Sequence, residues 1–444
     1  MRVSSSQIFD TGILGVTRNQ GDVYKLQNQL STGRRVLTPS DDPVAAAQAL
    51  VVSQSQAVNT QYLDAQGNAR TQLATVEGQL SSLTDLLQNV RERLVQAGNP
   101  TLSQTDRQSI ATEMQARLEA LTSLANVTDG QGEFLFSGYK GDTRPFALDS
   151  TSAMAYFGDS GERKLQVDSS RQMSTSVAGD DLFMRVKNGN GTFQVQTGGA
   201  VTVLPPVLPA TTPTITVNGT NQGAARMDAG SVTDIGKWQA AMVDTFWADD
   251  VNAGDLRVVF ETATTYQIYD NSSPATPVPL LATAATFTPG QAIALRSDTL
   301  DFGANIVING APAVGDSFTI SQSSNQSMFD TMQNIITALT TPISGTVYSS
   351  TEYSNAIGSE MVNVDQALDN VSRIRSQVGS RLNDLDALTD VSENNKLQYS
   401  GKLSDLQDLD YAKAISDFTK KQMQLEAAQA TFAKTSQLSL FNYI

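Results

Sequence analysis

The 444-residue chain contains neither cysteine nor histidine. Without thiols it has no disulfides and no thiol nucleophile. Without imidazole as well, it cannot build Cys/His zinc sites or any catalytic triad that uses histidine. It also lacks the usual general base near neutral pH. These absences weigh against most enzymes, so we expect no catalytic residues, no cofactor and no metal site in this protein.

Basic residues and long apolar runs are also scarce. Lys and Arg number 30 against 45 Asp and Glu, which gives a formal net charge of −15 and disfavours nucleic acid and anionic lipid surfaces as partners. No apolar run approaches the ~20 residues of a membrane helix. Residues 1–16 lack the apolar core of a secretory signal. We therefore expect no membrane insertion, and either a cytoplasmic location or export by another route.

Proline is distributed unevenly along the chain. Three prolines precede residue 101, eleven lie between Pro145 and Pro342, and none follows Pro342. Because proline breaks helices, both chain ends are predicted to be helical and the middle is not. The fold class is therefore predicted to be α+β and multidomain, with a long helical coiled-coil or bundle stalk built from both ends and an inserted β domain or domains.

Both ends carry apolar residues at alternating spacings of three and four, the pattern of a heptad seam. One stripe runs through residues 73–94, another through 110–125, and a third through 357–385 with a single interruption at Arg375. Each stripe has to be buried against another helix. The three stripes therefore predict an antiparallel helical bundle assembled from both halves of the sequence.

The domain organisation follows from these patterns. Alternating runs at 256–260 and 266–269 are typical of strands, and Ser327 is a candidate N-cap for a helix that returns to the stalk. The predicted parts are a terminal coiled coil of 1–55 with 400–444, an antiparallel bundle of 56–140 with 341–399, a β-rich region of 141–326 in one or two modules with a linker or sheet edge near 204–214, and a return helix at 327–340.

The two chain ends carry matching heptad seams, each with glutamine at its fourth and sixth positions. Polar seam residues cost stability but fix register and partner choice. We therefore predict that these two faces form an assembly interface. The seam residues are Phe9, Ile13, Val16, Gln20, Val23, Gln27 and Leu30 in the first set, and Tyr411, Ile415, Phe418, Gln422, Leu425, Gln429 and Phe432 in the second.

Short matches to enzyme motifs are weak. Ser137 and Lys140 fit the S-x-x-K spacing of serine acyl-transfer enzymes, but the companion segments of that class are absent. Residues 230–237 resemble a phosphate loop with one residue too many, which would spoil its geometry. Asp41 and Asp42 are adjacent carboxylates, and Asp42 followed by Pro43 is more typical of a helix N-cap than of an acid/base pair.

Three segments resemble a known family. Residues 31–47, STGRRVLTPSDDPVAAA, resemble the N-terminal signature of bacterial flagellins and their relatives, and include Gly33, Arg34, Asp41, Asp42 and Pro43. Residues 132–140, GEFLFSGYK, with Phe136, Ser137 and Gly138, and the ending LSLFNYI at 438–444 are similar to the branch of that family at the hook–filament junction. The resemblance covers about residues 1–185 and 340–444.

The resemblance implies a structural, self-assembling subunit of the bacterial flagellum, secreted through the flagellar export apparatus with the help of an export chaperone. Such a subunit would form a ring between hook-associated protein 1 on the hook side and flagellin on the filament side. Its terminal helices would assemble with other copies of itself, and the middle region would face outward.

Three other functions remain open from the sequence. A filament subunit, flagellin itself, has the same architecture, although the Phe-Ser-Gly segment and the Phe-Asn-Tyr-Ile ending argue against it. A secreted adhesin or glycan-binding protein would use the β-rich region. An enzyme would have to work with carboxylates, serine, lysine or tyrosine alone, and no spacing in the chain indicates one.

Overall fold

A computed structural model describes residues 5–99, 101–198, 203–204, 215–217, 219–241, 255–271, 277–344 and 349–437. The described helices are α1 Ser5–Thr32, α2 Pro43–Ala97, α3 Gln104–Ala125, α4 Ile235–Ala241, α5 Met328–Thr340, α6 Ser350–Gln407 and α7 Tyr411–Gln437, with one π-helical turn at Asp180–Met184. Both ends are helical and a β-rich region is inserted between them, which confirms the predicted fold class. Residues 205–214 of the predicted linker and the ending 438–444 lie outside the described residues.

Short strands fill the middle of the chain. They are β1 Phe146–Leu148, β2 Met154–Tyr156, β3 Lys164–Asp168, β4 Arg171–Ser174, β5 Val186–Lys187, β6 Phe193–Thr197, β7 Val203–Leu204, β8 Ile215–Thr216, β9 Arg226–Met227, β10 Ser231–Val232, β11 Leu256–Thr262, β12 Thr265–Asp270, β13 Val278–Pro279, β14 Ala285–Thr286, β15 Ala292–Arg296, β16 Asp301–Asn309, β17 Ser317–Gln322 and β18 Asn325–Gln326. The pairing of the larger sheets is antiparallel, in the orders β13-β12-β11-β17-β6 and β10-β16-β15.

The chain divides into two compact units, of which the first combines Met1–Asn68, Gln166–Arg171 and Asp384–Ile444. In this unit α1 packs along α7. The remaining residues, Ala69–Leu165 and Gln172–Asn383, form the second unit. The boundary between the two units thus lies after Asn68 on α2 and before Asp384 on α6. Both positions are further from the chain ends than residues 55 and 400, the predicted limits of the terminal coiled coil.

Buried polar side chains explain why the first unit extends this far. Asn59 Nδ2 donates a hydrogen bond of 2.8 Å to the Ser392 carbonyl. Gln66 Nε2 donates to the Val167 carbonyl at 2.8 Å and to Ser392 Oγ at 3.1 Å, while Thr389 Oγ1 donates to Gln66 Oε1 at 3.2 Å. These satisfied bonds tie α2, α6 and the tip of the β3–β4 hairpin into one polar network, which fixes their register.

The second unit contains the apolar stripes of the predicted bundle. All residues of the predicted α2 stripe are buried: Leu73, Val76, Leu80, Leu83, Leu87, Val90 and Leu94. On α6, Val364, Val371 and Val378 repeat every seven residues and are fully buried. The stripe is not interrupted at Arg375 as predicted, because the neighbouring Ile374 is fully buried and continues it. Arg375 lies beside the stripe, with Nη2 2.6 Å and Nε 2.9 Å from Oε1 of Glu77 on α2.

Side chains cap two helices of this unit, and one of them is Ser327, the N-cap that the sequence predicts. Ser103 and Asp106 form a reciprocal capping box at the start of α3, in which Ser103 Oγ accepts from the Asp106 amide. Ser327 Oγ accepts from the Asp330 amide at 2.9 Å and caps α5, the return helix. α5 packs against α3. Each side-chain cap satisfies an amide that the first turn of a helix leaves free.

The two larger sheets share one core. It contains Phe193, Trp238, Phe260, Ile306 and Phe318, all at most 2% exposed, from β6, α4, β11, β16 and β17. Asp316 fastens this core to the loop before β9. Its buried carboxylate accepts hydrogen bonds from three backbone amides, those of residues 222, 223 and 313, at 2.7, 2.9 and 2.8 Å.

Candidate assembly surface on the terminal helices

α1 and α7 run antiparallel, so the start of one helix lies beside the end of the other. Gly12 near the start of α1 faces the ring of Phe432, and a Cβ on Gly12 would lie 2.7 Å from that ring. Further along, Lys421 Nζ pairs with Asp22 Oδ2 at 2.8 Å. At the other end, Gly33 lies next to the Tyr411 hydroxyl. The pair therefore extends over most of both helices.

The buried contact between α1 and α7 uses only part of the predicted seam. Six seam residues lie in the contact between α1 and α7, where they are half-buried and repeat every seven residues. They are Val16, Val23 and Leu30 on α1, and Phe418, Leu425 and Phe432 on α7. Between them, the half-buried residues include Asn19, Asp22 and Leu26 on α1, and Lys421 and Ala428 on α7. The second position of each heptad is therefore shifted by one residue from the prediction.

The other seam residues remain exposed. They are Ile13, Gln20 and Gln27 on α1, and Tyr411, Ile415, Gln422 and Gln429 on α7, a set that we call the open stripe. Ile13, Tyr411 and Ile415 are 44, 52 and 55% exposed. Phe9 belongs to α1, but its side chain lies outside the described residues. The predicted seam thus splits into one face that pairs α1 with α7 and a second face that stays exposed, although the hydroxyl of its Tyr411 lies next to Gly33.

The shift has a simple physical reason. Spacings of three then four and of four then three both return to the same face after seven residues. Val16 and Val23 fit both spacings, but the residue between them is Asn19 in one spacing and Gln20 in the other.

Leu14, Tyr24 and Met423 are further large side chains left exposed on these helices. The seam pattern did not indicate them because they lie outside its spacing.

The signature segment ties both chain ends together beyond α1. The Gly33 carbonyl accepts from the Leu409 amide at 2.9 Å, and the Arg35 amide donates to the Gln407 carbonyl at 2.7 Å. Arg35 Nη2 also donates to the Leu406 carbonyl at 2.8 Å. Gly33 has φ +69°, a left-handed conformation that glycine adopts at no steric cost. Residues 33–42 thus form a clasp on the turn between α6 and α7.

The two aspartates of the clasp connect it to α1 and α2. Asp41 Oδ1 lies 2.7 Å from Lys25 Nζ of α1, and Oδ2 accepts from the Leu37 and Thr38 amides. Asp42 Oδ1 accepts from the Ala45 amide at 3.0 Å and caps α2, which begins at Pro43. The ammonium of Lys25 holds the pKa of Asp41 well below its usual range, and the Ala45 amide lowers the pKa of Asp42.

Arg34 and Arg35 complete the clasp. Arg34 forms an isolated antiparallel bridge with Asp408, and Arg35 Nη1 pairs with Asp42 Oδ2 at 3.1 Å. The buried amide of Gln29 donates to the Arg35 carbonyl at 2.6 Å. Lys25 and Gln29 have no distinctive sequence signal, because each lies in an ordinary helical stretch and acquires its role through the folded clasp.

Clasp stability should depend on pH through Asp41. Its folded-state pKa lies below the unfolded value, so its contribution is complete above about pH 4 and is lost as the pH falls further. Asp41→Asn should therefore lower the melting temperature of the first unit at pH 6, and the difference from the wild type should shrink toward pH 2. Asp64→Asn, at an exposed carboxylate of α2, is the control. A difference for Asp41→Asn that stays constant with pH would contradict this role.

The second signature has a structural role in the second unit. Phe136 is fully buried, and its ring meets Phe183 edge-on with centroids 5.5 Å apart. Ser137 Oγ donates to the Phe134 carbonyl at 3.0 Å. Gly138 has φ +72°, and a Cβ there would lie 2.3 Å from the Asp159 carbonyl oxygen. The segment is therefore a tight turn beneath an aromatic core.

The short enzyme-like motifs have structural contacts. Ser137 is buried, while Lys140 Nζ lies 3.4 Å from the Gly158 carbonyl. In the 230–237 segment, Lys237 Nζ pairs with Asp301 at 2.8 Å. Across the described residues, every helix falls short of the apolar length that a bilayer crossing needs. Among the same residues, no cluster of three or more acidic side chains is arranged to hold a metal ion.

Comparisons with known proteins agree with this architecture. The bacterial flagellin N-terminal helical region matches residues 12–141, and the bacterial flagellin C-terminal helical region matches residues 361–444. The flagellar hook-associated protein 3 of Escherichia coli K12 is 43% identical over 183 residues, which cover 41% of this chain and 57% of that protein. The chain thus spans little more than half the length of that relative.

A solved structure covers more of the chain. The crystal structure of the flagellar junction protein FlgL from Legionella pneumophila superimposes with a TM-score of 0.64 at 27% identity, covering 81% of this chain and all of that one. Flagellin 1 of Proteus mirabilis is 32% identical over 146 residues, which cover 31% of this chain and 39% of that protein. Sequence similarity to the hook-associated protein is thus both higher and more extensive than similarity to this flagellin.

Proposed function

The chain belongs to the flagellin family, and from this premise we propose that it is a structural subunit of the bacterial flagellum at the junction between hook and filament. The similarity to hook-associated protein 3 and to a solved junction protein supports this place rather than a place along the filament. Export would carry the chain out of the cell, since its site of action is extracellular.

The observation that carries the proposal is the open stripe on the terminal helices. α1 and α7 bury one face of their seam against each other. On the other face, Ile13, Tyr411 and Ile415 stay exposed beside exposed glutamines. Apolar residues that repeat along paired helices are stabilised when another helix covers them. A self-assembling subunit supplies that cover, and glutamine side chains can donate and accept hydrogen bonds across the contact.

The proposed partners follow from the place in the flagellum. Copies of this chain contact one another around a ring, hook-associated protein 1 lies on one side, and flagellin on the other. Because the two neighbours differ, the contacts along the axis are heterologous rather than two-fold. The flagellar export apparatus and an export chaperone would act before assembly. The role is mechanical and involves no catalysis.

Deletion of the gene in the source bacterium tests this function. Electron microscopy should find hooks without filaments, and immunoblotting should find soluble flagellin in the medium, because export continues while the junction is missing. Absence of both filaments and exported flagellin would instead identify the chain as the filament subunit. Intact filaments on motile cells would favour an adhesin or another accessory role, with the β-rich region as the binding part.

A further inference from the structure

The chain contains four Asn-Gly dipeptides, at 188–189, 190–191, 218–219 and 309–310. Asparagine followed by glycine loses its side-chain amide more easily than other asparagines, because glycine has no Cβ to hinder its own backbone nitrogen as it approaches the side-chain carbonyl carbon. Asn218 lies outside the described residues. The other three dipeptides can be compared in the structure, and their surroundings differ.

The reaction at such a dipeptide needs water and no other reagent. The backbone nitrogen of the glycine attacks Cγ of the asparagine, a new N–Cγ bond forms, and the side-chain nitrogen leaves as ammonia with the proton of the glycine N–H. Water then opens the cyclic imide at either carbonyl, which gives aspartate or isoaspartate. The reaction therefore requires a glycine amide that is free to attack and an asparagine side chain that can turn toward it.

Hydrogen bonds hold both reacting groups of the first dipeptide. Asn188 is 5% exposed, and its Nδ2 donates to Gln194 Oε1 at 3.0 Å and to Ser324 Oγ at 3.1 Å. Its Oδ1 accepts from the Ser324 amide at 2.9 Å. The amide of Gly189, which would be the nucleophile, donates to Asn363 Oδ1 at 2.9 Å. Attack on Asn188 would therefore require these bonds to open together.

The second dipeptide is held in a similar way. Asn190 Oδ1 accepts from the two backbone amides that follow Gly191, each at 2.9 Å. Its Nδ2 donates to two backbone carbonyls of the loop before β10, both at 3.2 Å. The amide of Gly191 donates to the Asn188 carbonyl at 3.2 Å. Neither the nucleophile nor the side chain of this dipeptide is free to move.

The dipeptide at the end of β16 meets both requirements. Asn309 is the last residue of the strand, and both Asn309 and Gly310 are exposed. Within the described chain, neither the Asn309 side chain nor the Gly310 amide makes a hydrogen bond. Asn309 Oδ1 lies beside Gly290, on which a Cβ would be 3.2 Å away. Because β9, which pairs with this end of β16, is only the two residues Arg226–Met227, a small local opening lets the dipeptide react.

The fold also requires glycine at position 310. Gly310 has φ +92°, and a Cβ there would clash with the Ala224 carbonyl oxygen. Any other residue would therefore strain the backbone at this turn. We propose that Asn309 is a site of spontaneous deamidation in the folded protein, and that Asn188 and Asn190 are protected from the same reaction by their hydrogen bonds.

The two products change the pairing of β9 with β16 in opposite directions. Asn309 lies directly opposite Arg226 across the two strands, so aspartate at position 309 places a carboxylate opposite a guanidinium, which is a favourable cross-strand pair. Isoaspartate instead adds a methylene to the backbone, which disturbs the register at the end of the strand. Either product adds a negative charge to a chain whose formal net charge is −15.

Peptide mapping of the purified full-length chain by mass spectrometry tests the proposal. The folded protein is kept in mildly alkaline buffer, digested at intervals, and examined for the mass increase that accompanies exchange of an amide nitrogen for oxygen. Conversion at Asn309 should be at least ~10-fold faster than at Asn188 or Asn190, the factor by which one or two ordinary hydrogen bonds shift an equilibrium. The same chain unfolded in urea is the matched control, in which the three positions should react at similar rates.

Asn309→Gln supplies a second control, because glutamine would have to close a larger ring that forms more slowly. Conversion at position 309 should be lost in this variant, while Asn188 and Asn190 behave as before. Equal conversion of the three asparagines in the folded chain would overturn the proposal, as would an Asn309 that reacts only after unfolding. A preference for Asn309 that persists in urea would also overturn it, because the local sequence and not the fold would then set the rate.

Discussion

Replacing Ile415 with aspartate is expected to leave the chain folded and exported while abolishing the attachment of filaments to hooks. Ile415 is 55% exposed in the described chain, so a carboxylate at this position meets water in the monomer. In the assembled junction the same carboxylate would be buried in the open stripe without a partner, which costs several kcal/mol at every subunit. Because each ~1.4 kcal/mol corresponds to a tenfold change in an equilibrium constant, assembly should fail outright.

Counting filaments per hook by electron microscopy, with circular dichroism of the purified monomer, checks this expectation. Gln424→Asp is the matched control because it adds the same charge to an exposed position nine residues away, on the opposite side of α7. Ile415→Leu should keep full attachment. Normal filament numbers with Ile415→Asp, or equal loss with Gln424→Asp, would refute the open stripe as an assembly surface.

Val23→Asp should also prevent attachment, but by a different route. Val23 is half-buried in the contact between α1 and α7, so a carboxylate there separates the two helices within one chain. The monomer should then lose helical signal, whereas Ile415→Asp should not. The pair of variants therefore distinguishes the two faces of the predicted seam.

Truncation of Phe136 to alanine should have the largest effect on the stability of the second unit. The ring is fully buried and meets Phe183 edge-on, in a cluster that also joins Phe146 and Phe329. Loss of a buried aromatic side chain leaves a cavity and typically costs about 3–5 kcal/mol. Urea unfolding followed by circular dichroism measures the change in the free energy of unfolding.

Phe157→Ala supplies the comparison for that measurement. Phe157 belongs to the same unit but is 47% exposed, so its truncation should change the free energy of unfolding by less than about 1 kcal/mol. Similar effects for the two substitutions would show that the Phe-Ser-Gly signature does not anchor this core.

The helical stripes could be predicted because their periodicity alone determines which side is buried. The stripe from Leu73 to Leu94 is buried as expected. The break predicted at Arg375 is absent because Ile374 is buried in its place. The ion pair of Arg375 with Glu77 could not be predicted, because it joins two residues that are distant in sequence. Heptad spacing predicts which face of a helix is buried. It does not predict which residue a charged side chain on that helix pairs with.

The contact between α1 and α7 within the chain was predictable only in part. Val16, Val23, Phe418 and Leu425 could be assigned to a seam, but the spacing could not decide which neighbouring residues pair within the chain and which stay exposed. The contact geometry of two particular helices makes that choice. Ile415 is exposed for this reason, although its spacing is as regular as that of Phe418.

The clasp shows a different limit of sequence reasoning. Asp42 and Pro43 could be predicted as a helix start, because capping acts between residues close in the chain. The bond from Arg35 to the Leu406 carbonyl joins residues from opposite ends of the chain. Neither residue has a sequence signal for the other, so only the fold reveals that the signature segment fastens the two ends.

The location of the protein in the flagellum is the most direct test of the junction role. Isolated flagella with hook and filament intact should be labelled with a gold-conjugated antibody against this chain and imaged by electron microscopy. A single narrow band of gold where the hook meets the filament is the expected result. Gold along the whole filament, or on the cell surface and absent from the flagellum, would contradict a junction subunit.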